Sequence, residues 1–245
     1  MVQLIFKQIN KCLLTAILTI IPFMINASEI EDLSSNKWKE DLEFKGKFKF
    51  KKPSDKFFSV LFQIAPPLTV ALTNLHDYSV DILLMYPIEF AEDSANQIIL
   101  SIAPIAEFLF PINPTKKNNF EVLLNQYFST GEAYVNALSV NAKVDQLLLH
   151  WLELGSQVAN VFHQYNPKVL KKKEMQNIMR QFTLLEAGVA NNLHPTATSF
   201  TDITEAEELN AQANILFTNL GILLTVAKID KNKHRCSDEF SSSSR

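Results

Sequence analysis

Two stretches of the chain repeat each other, and this repeat constrains the fold more than any other feature of the sequence. The Asn-Pro steps of the two copies lie 53 positions apart and their Glu-Ala steps lie 54 apart. The matching pairs are Ile105-Ala106 with Val158-Ala159, Asn113-Pro114 with Asn166-Pro167, and Glu132-Ala133 with Glu186-Ala187. A repeat of this length is typical of one structural unit used twice.

Each Asn-Pro step predicts the start of a helix. Proline suits the first helical position because its missing N–H would have no partner there and its fixed φ is already helical. Asparagine is a preferred N-cap because its side-chain oxygen accepts a hydrogen bond from an N–H of the first turn. We therefore interpret each copy as a helix, a tight turn and a second helix, which is an αα-hairpin made twice.

Apolar residues recur every three or four positions from Pro66 onward, which is the spacing of one face of a helix. The pattern predicts a first helix from Pro66-Pro67, a second over 94–110, a third from Pro114 and a fourth up to Tyr165. A fifth should follow Pro167 and a sixth should open at Thr201. Long helices with short turns predict an all-α fold, an antiparallel helical bundle over residues 66–230. We expect residues 231–245, which are rich in serine, to form a disordered tail.

The first 27 residues have the parts of a secretory signal peptide. Lys7 and Lys11 precede an apolar run, and Ala27 lies just before polar sequence. The run is shorter than the ~20 residues that a spanning helix needs. We predict cleavage after Ala27 and an exported protein, either periplasmic or secreted. The alternative is an uncleaved anchor in the inner membrane.

Residues 28–65 form a predicted arm or linker with alternating charge and aromatic character. A period of two is typical of a strand, with lysines on one face and aromatics on the other. One interpretation is a short β-like arm that docks on an anionic membrane surface or a protein partner. The other is an edge strand or loop in which lysines block edge-to-edge pairing. The candidate interaction residues are Lys45, Lys47, Lys49, Lys51, Phe48 and Phe50.

The formal net charge of the chain is −3. A mildly acidic protein is a poor general binder of nucleic acid, because phosphate contacts need a cationic face. Nucleic acid is therefore not among the expected partners. Lys171, Lys172 and Lys173 are an exception to this balance: they fall in a predicted first helical turn, where positive charge opposes the helix dipole. They indicate either contact with an acidic partner or a solvated face.

Glu132 and Glu186 hold matching places in the two copies and are the candidate ligand-binding carboxylates. At 100° per residue, Glu186 points into the core and Glu132 lies nearer the edge of its apolar stripe. A di-metal carboxylate centre in a bundle would need Glu-x-x-His pairs, and neither copy has one. The alternatives are a metal or small-ligand site and a carboxyl group paired with a neighbouring polar group.

The sequence contains no nucleophile elbow, glycine-rich phosphate loop, Cys-x-x-Cys pair or His-Glu-x-x-His motif. We therefore name no catalytic residue, expect no cofactor, and lean away from an enzyme.

The second copy carries Trp151, Val158-Ala159, Phe162, Asn166-Pro167, Met175, Phe182-Thr183 and Glu186-Ala187. With these residues it resembles an uncharacterised family of exported bacterial helical-bundle proteins. The resemblance covers roughly residues 66–228 and departs at Asn125 and Met179, where the family has histidine. It implies an exported helical bundle and no particular activity.

These observations together predict an exported, non-catalytic helical protein that binds a protein or an anionic membrane surface. The alternative is a bundle that binds a metal or small ligand through Glu132 and Glu186.

Overall fold

The structure, a computed structural model, describes residues 55–194 and 200–242, with side chains described for 55–194 and 202–232. These residues form helices without any strand, which confirms the predicted all-α fold. The helices are α1 (Asp55–Leu83), α2 (Ile88–Leu109), α3 (Pro114–Ser139), α4 (Asp145–Tyr165), α5 (Lys172–Leu193) and α6 (Phe200–Ser242).

Helix α1 lies at the centre of the bundle. It packs against α2, α3, α5 and α6, and each later helix also packs against the next one along the chain. The pairs α2–α3 and α4–α5 occupy the places of the two expected hairpins; their origin as one duplicated unit stays a prediction.

The predicted start of the first helix at Pro66-Pro67 is wrong. Helix α1 begins at Asp55, so both prolines lie inside it. Each proline in a helix interior is unfavourable by about 3 kcal/mol relative to alanine. The apolar stripe nevertheless continues upstream, where Phe57, Val60 and Ile64 are all buried. Burying side chains of this size contributes roughly 1.5–3 kcal/mol each, which offsets the prolines.

The two Asn-Pro steps behave differently. Asn113 is the N-cap of α3, as predicted, and its Oδ1 accepts from the backbone N–H of Lys116 at 2.9 Å. Asn166 instead caps the end of α4, and α5 begins only at Lys172. Oδ1 of Asn166 still accepts from the backbone N–H groups of Lys168 and Val169 at 3.2 and 3.4 Å, but these residues form a turn before α5. Its Nδ2 donates to the carbonyl of Ala227 on α6 at 3.0 Å.

The backbone of α6 is helical through Ser242, so the helix continues into the segment 231–245 where we expected a disordered tail. Lys231 explains why the helix does not end near Asp230: its Nζ donates to the carbonyl of Tyr165 at 3.2 Å, which attaches this part of α6 to the end of α4. The predicted signal peptide, and the arm up to residue 54, lie outside the described residues.

Helices α3 and α4 approach closely where Trp151 packs on Gly131. The indole is 1% exposed and lies between Tyr127 and Tyr134, with ring centroids 5.9 Å from each. A Cβ atom at Gly131 would lie 2.7 Å from Cζ2 of Trp151. Because that ring is held by neighbours, it has no room to move aside. Gly131 is therefore required by the packing.

Gly131→Ala should lower the free energy of unfolding by about 1–3 kcal/mol, since the added methyl group overpacks the core. The matched control is Gly221→Ala on α6, where the new Cβ would meet Cδ1 of Leu68 at an ordinary 3.6 Å. That variant should keep or raise stability by up to about 1 kcal/mol, because alanine is the better helix former. Urea unfolding of both variants measures the difference, and equal effects would contradict this account of Gly131.

Candidate functional site

The interaction residues predicted in the arm lie outside the described residues. These are Lys45, Lys47, Lys49, Lys51, Phe48 and Phe50.

Glu186 is buried in the core, as its position on α5 predicts. Its side chain is 2% exposed, and neither carboxyl oxygen has a hydrogen-bond partner among the described residues. Burial raises the pKa of Glu186 to about 8, because the ionised form has lost its hydration. Burial also raises the pKa of the nearby Tyr127, and Glu186 adds to that rise. The carboxyl group is therefore neutral over most of the pH range in which the protein would work.

Glu132 differs from Glu186 in its surroundings. It is half-buried on α3, and burial raises its pKa too. It acts electrostatically on Tyr78 of α1, whereas Glu186 acts on Tyr127. No interaction between the two carboxyl groups is found. Within residues 55–194 and 202–232, no group of three His, Cys, Asp or Glu side chains could hold a metal ion.

Lysines gather at one end of the bundle. At this end α2 and α4 finish, α3 and α5 begin, and α6 crosses near residue 228. We call it the basic end. Its acidic neighbours are Asp55, Glu107, Glu121, Glu174 and Asp230. Glu107 is paired with Lys117, and Glu121 also attracts that lysine. The lysines are Lys56, Lys116, Lys117, Lys168, Lys171, Lys172, Lys173, Lys228 and Lys231.

Carboxylates gather at the opposite end, the acidic end. Two contacts show which helix ends meet there: Nε2 of His76 on α1 lies 4.0 Å from Glu207 on α6, and Nε2 of His194 contacts the carbonyl of Leu138 at 2.9 Å. Lys143 is the single lysine or arginine that the described side chains place at this end. The carboxylates are Asp77, Asp81, Glu89, Glu92, Asp93, Asp145, Asp202, Glu205, Glu207 and Glu208.

Helix dipoles do not explain this separation of charge. Acidic residues near the starts of α2, α4 and α6 are favourable, because a helix N-terminus carries partial positive charge. The lysines at the starts of α3 and α5 are unfavourable for the same reason, by a few tenths of a kcal/mol each. The sign of the charged side chains therefore depends on the end of the bundle at which they lie, and not on whether a helix begins or ends there. Because the C-termini of α2 and α4 lie at the same end as the N-termini of α3 and α5, the helix dipoles oppose one another there, and the lysines themselves supply the positive field.

Two lysines of α6 are held firmly at the basic end. Nζ of Lys228 donates to the carbonyl of Phe108 and lies 4.7 Å from the centroid of its ring. Nζ of Lys231 lies 4.1 Å from the ring centroid of Tyr165. Such cation–π contacts stabilise by about 0.5–2 kcal/mol. Burial, followed by repulsion from Lys231, lowers the pKa of Lys228.

A groove of about 730 Å³ opens beside these lysines. Its walls come from α3 and α4, the loop 110–113 forms part of its lining, and α6 contributes Lys228 and Lys231. Among the described residues that line it, none is acidic. Its remaining polar lining is mainly amide, from Asn119, Gln126, Gln157 and Gln164.

The turn between α1 and α2 exposes apolar side chains at the acidic end. Met85 has a φ of 60° and is 83% exposed, and Tyr86, Ile88 and Phe90 are each more than half exposed. A left-handed conformation is unfavourable for methionine by roughly 1–2 kcal/mol. We call residues 84–90 the apolar tip. It is a second surface suited to an apolar partner, at the end opposite the lysines.

Among the described residues, two helices are long and apolar enough to cross a membrane by length and composition: α1, and residues Asp202–Asn232 of α6. The core helix of a soluble protein passes the same test, and half of the α6 window is buried inside the bundle. These helices are compatible with export or membrane association.

No protein-family model matches the chain, and neither a curated protein nor a solved structure matches it. The resemblance to exported bacterial bundles therefore stays an expectation.

Sequence reasoning identified Lys171–Lys173 as unusual but missed Lys228 and Lys231. One available signal was the apolar stripe of the sixth helix, which continues to Ala227. One further turn of helix brings residues 228 and 231 near the ends of the neighbouring helices.

Glu186 should make the stability of the fold depend on pH. Its pKa is raised on folding, so its stabilising contribution is complete below about pH 4.5 and is lost as the pH rises through about 8. The loss is on the order of 3–5 kcal/mol. Glu186→Gln keeps a neutral group and should remove this part of the dependence, so that it exceeds the wild type in stability above pH 8.

Urea unfolding at both ends of that pH window measures the effect. The exposed Glu153→Gln variant is the control and should follow the wild type. If Glu186→Gln loses stability with pH as the wild type does, the carboxyl is ionised or solvated in the native protein.

Proposed function

We propose that the protein is an exported, non-catalytic binding protein that docks with its basic end on an anionic membrane surface. The observation that carries this proposal is the gathering of lysines at one end of the bundle, against the dipoles of α3 and α5. This arrangement mildly destabilises the isolated bundle. An anionic surface facing that end would attract the same lysines and so stabilise the bound protein.

The placement of the lysines supports a surface as the partner. Lys168, Lys171, Lys172 and Lys173 are all exposed and come from one loop and helix start, while Lys116 comes from α3. Charges spread in this way attract a charged plane diffusely, at about 1 kcal/mol per lysine near an acidic leaflet. Lys45, Lys47, Lys49 and Lys51 of the arm lie outside the described residues and enter the proposal through their charge alone.

Vesicle co-sedimentation tests the proposal. The full processed protein should bind vesicles of mixed phosphatidylcholine and phosphatidylglycerol, and should not bind phosphatidylcholine alone. Replacing Lys171, Lys172 and Lys173 together by glutamine should weaken binding about 100-fold at low salt, since three lysines each contribute about 1 kcal/mol. Binding should also weaken at high salt, because the screening length falls from about 10 Å at 0.1 M to about 3 Å at 1 M.

Lys143→Gln is the matched control, because it removes a lysine from the acidic end and should leave vesicle binding unchanged. Replacing the arm lysines 45, 47, 49 and 51 by glutamate should weaken binding without unfolding the bundle. Equal binding to neutral and anionic vesicles, or full binding by the Lys171–Lys173 variant, would contradict the proposal.

A further inference from the structure

The apolar tip is a part of the surface that membrane docking by the basic end does not use. Met85, Tyr86, Ile88 and Phe90 are each more than half exposed, and they lie within six positions of the chain. Single apolar side chains on a surface are ordinary, but a cluster of them marks a site where another molecule binds. The tip therefore has the character of a docking surface.

The charges around the tip decide which kind of partner fits it. Glu89, Glu92 and Asp93 are all exposed in the first two turns of α2. The sequence has no lysine or arginine between Lys56 and Lys116, so no positive side chain from α2 or the end of α1 balances them. Like charges across an interface are unfavourable, and opposite ones are favourable. The tip thus disfavours an anionic membrane and fits a partner that combines apolar groups with positive charge.

The groove at the basic end of the same protein has both of these properties. Its volume of about 730 Å³ lies in the usual range of binding pockets. Ile112 and Val122 bring exposed apolar side chains into its lining, and Lys116 is exposed beside them. Its described lining contains no carboxylate that would repel those around the tip. The amides of its walls are able to hydrogen-bond to the phenolic hydroxyl of Tyr86.

We infer that the apolar tip of one copy docks in the groove of a second copy, with the carboxylates beside the tip facing the lysines of the basic end. The tip and the groove are different surfaces at opposite ends of the bundle, so the contact is head-to-tail. A head-to-tail contact that does not close into a ring leaves one tip and one groove unoccupied, and further copies add to them in a row.

The contact should be weak. The tip comprises residues 84–90, far fewer than the roughly 20–30 residues that each partner contributes to a standard interface. We expect a dissociation constant on the order of 10–100 μM at low salt, so that dilute protein remains monomeric. The contact needs the acidic end, which the proposed membrane docking does not use. Either proposal can therefore fail alone.

Sedimentation equilibrium of the full processed protein tests the inference. At low salt the weight-average mass should rise from that of the monomer at about 1 μM protein to more than twice that mass at about 200 μM. The rise should be smaller in 1 M salt, where the screening length is only about 3 Å. A mass that stays constant over this range, or that reaches a limit at the dimer, would contradict a head-to-tail contact.

Two variants that each lack one half of the contact test the pairing itself. Met85→Asn together with Ile88→Ser removes apolar groups from the tip, and asparagine adopts the left-handed conformation of residue 85 more readily than methionine. Val122→Glu places a carboxylate in the groove, and glutamate is the better helix former. Each variant alone should stay monomeric. A one-to-one mixture should form a heterodimer, because the tip variant keeps its groove and the groove variant keeps its tip.

Ile215→Glu is the matched control for Val122→Glu, because it makes the same kind of change on an exposed part of α6 outside both surfaces and should associate as the wild type does. The tip variant should bind anionic vesicles as the wild type does, which shows that it is folded. If the mixture forms no heterodimer, or if Ile215→Glu abolishes association as Val122→Glu does, the tip and the groove are not partners.

Discussion

The attachment of α6 to the ends of α2 and α4 is the interaction on which the rest of the structure depends. Lys228 reaches the carbonyl of Phe108, 120 residues earlier in the chain, and Asn166 donates to the carbonyl of Ala227. Lys228 and Lys231 satisfy the carbonyls of Phe108 and Tyr165, which lie at helix ends and would otherwise lack intrahelical partners. They also place α6 against both α1 and α5, so that the central helix is covered. Without this attachment α6 would not close the groove at the basic end.

The same attachment concentrates charge. It adds Lys228 and Lys231 to an end that already holds the lysines of α3 and α5, while the first turns of α6 carry its carboxylates to the other end. The bundle thereby becomes strongly dipolar, although the formal net charge of the chain is only −3. Such a molecule approaches an anionic surface or ligand with one end first, and electrostatic steering of this kind raises association rates. The apolar tip lies at the other end, where it would face away from that surface.

Features of the fold that depend on neighbouring residues could be predicted from the sequence. Features that depend on contacts between distant residues were missed. The N-cap formed by Asn113 depends on Lys116, three positions away, so the local sequence is sufficient to predict it. The sequence around Asn166 is equally suggestive, but its side chain bonds to α6, 61 residues later, and this contact has no local signature. Burial of Glu186 followed from its angle on the helix, because its neighbours share one stripe. The groove could not be predicted in this way, since its lining comes from three parts of the chain that meet only in the folded bundle.

The most direct test of this account is which end of the protein meets an anionic membrane. An environment-sensitive fluorophore attached to a cysteine at Asn118, at the basic end, or at Met85, in the apolar tip, would report this once Cys12 and Cys236 are replaced by serine. The account predicts that anionic vesicles shift the emission of the label at residue 118 and leave the label at residue 85 unchanged. A shift at residue 85 alone would show that the apolar tip meets the membrane and would contradict docking by the basic end.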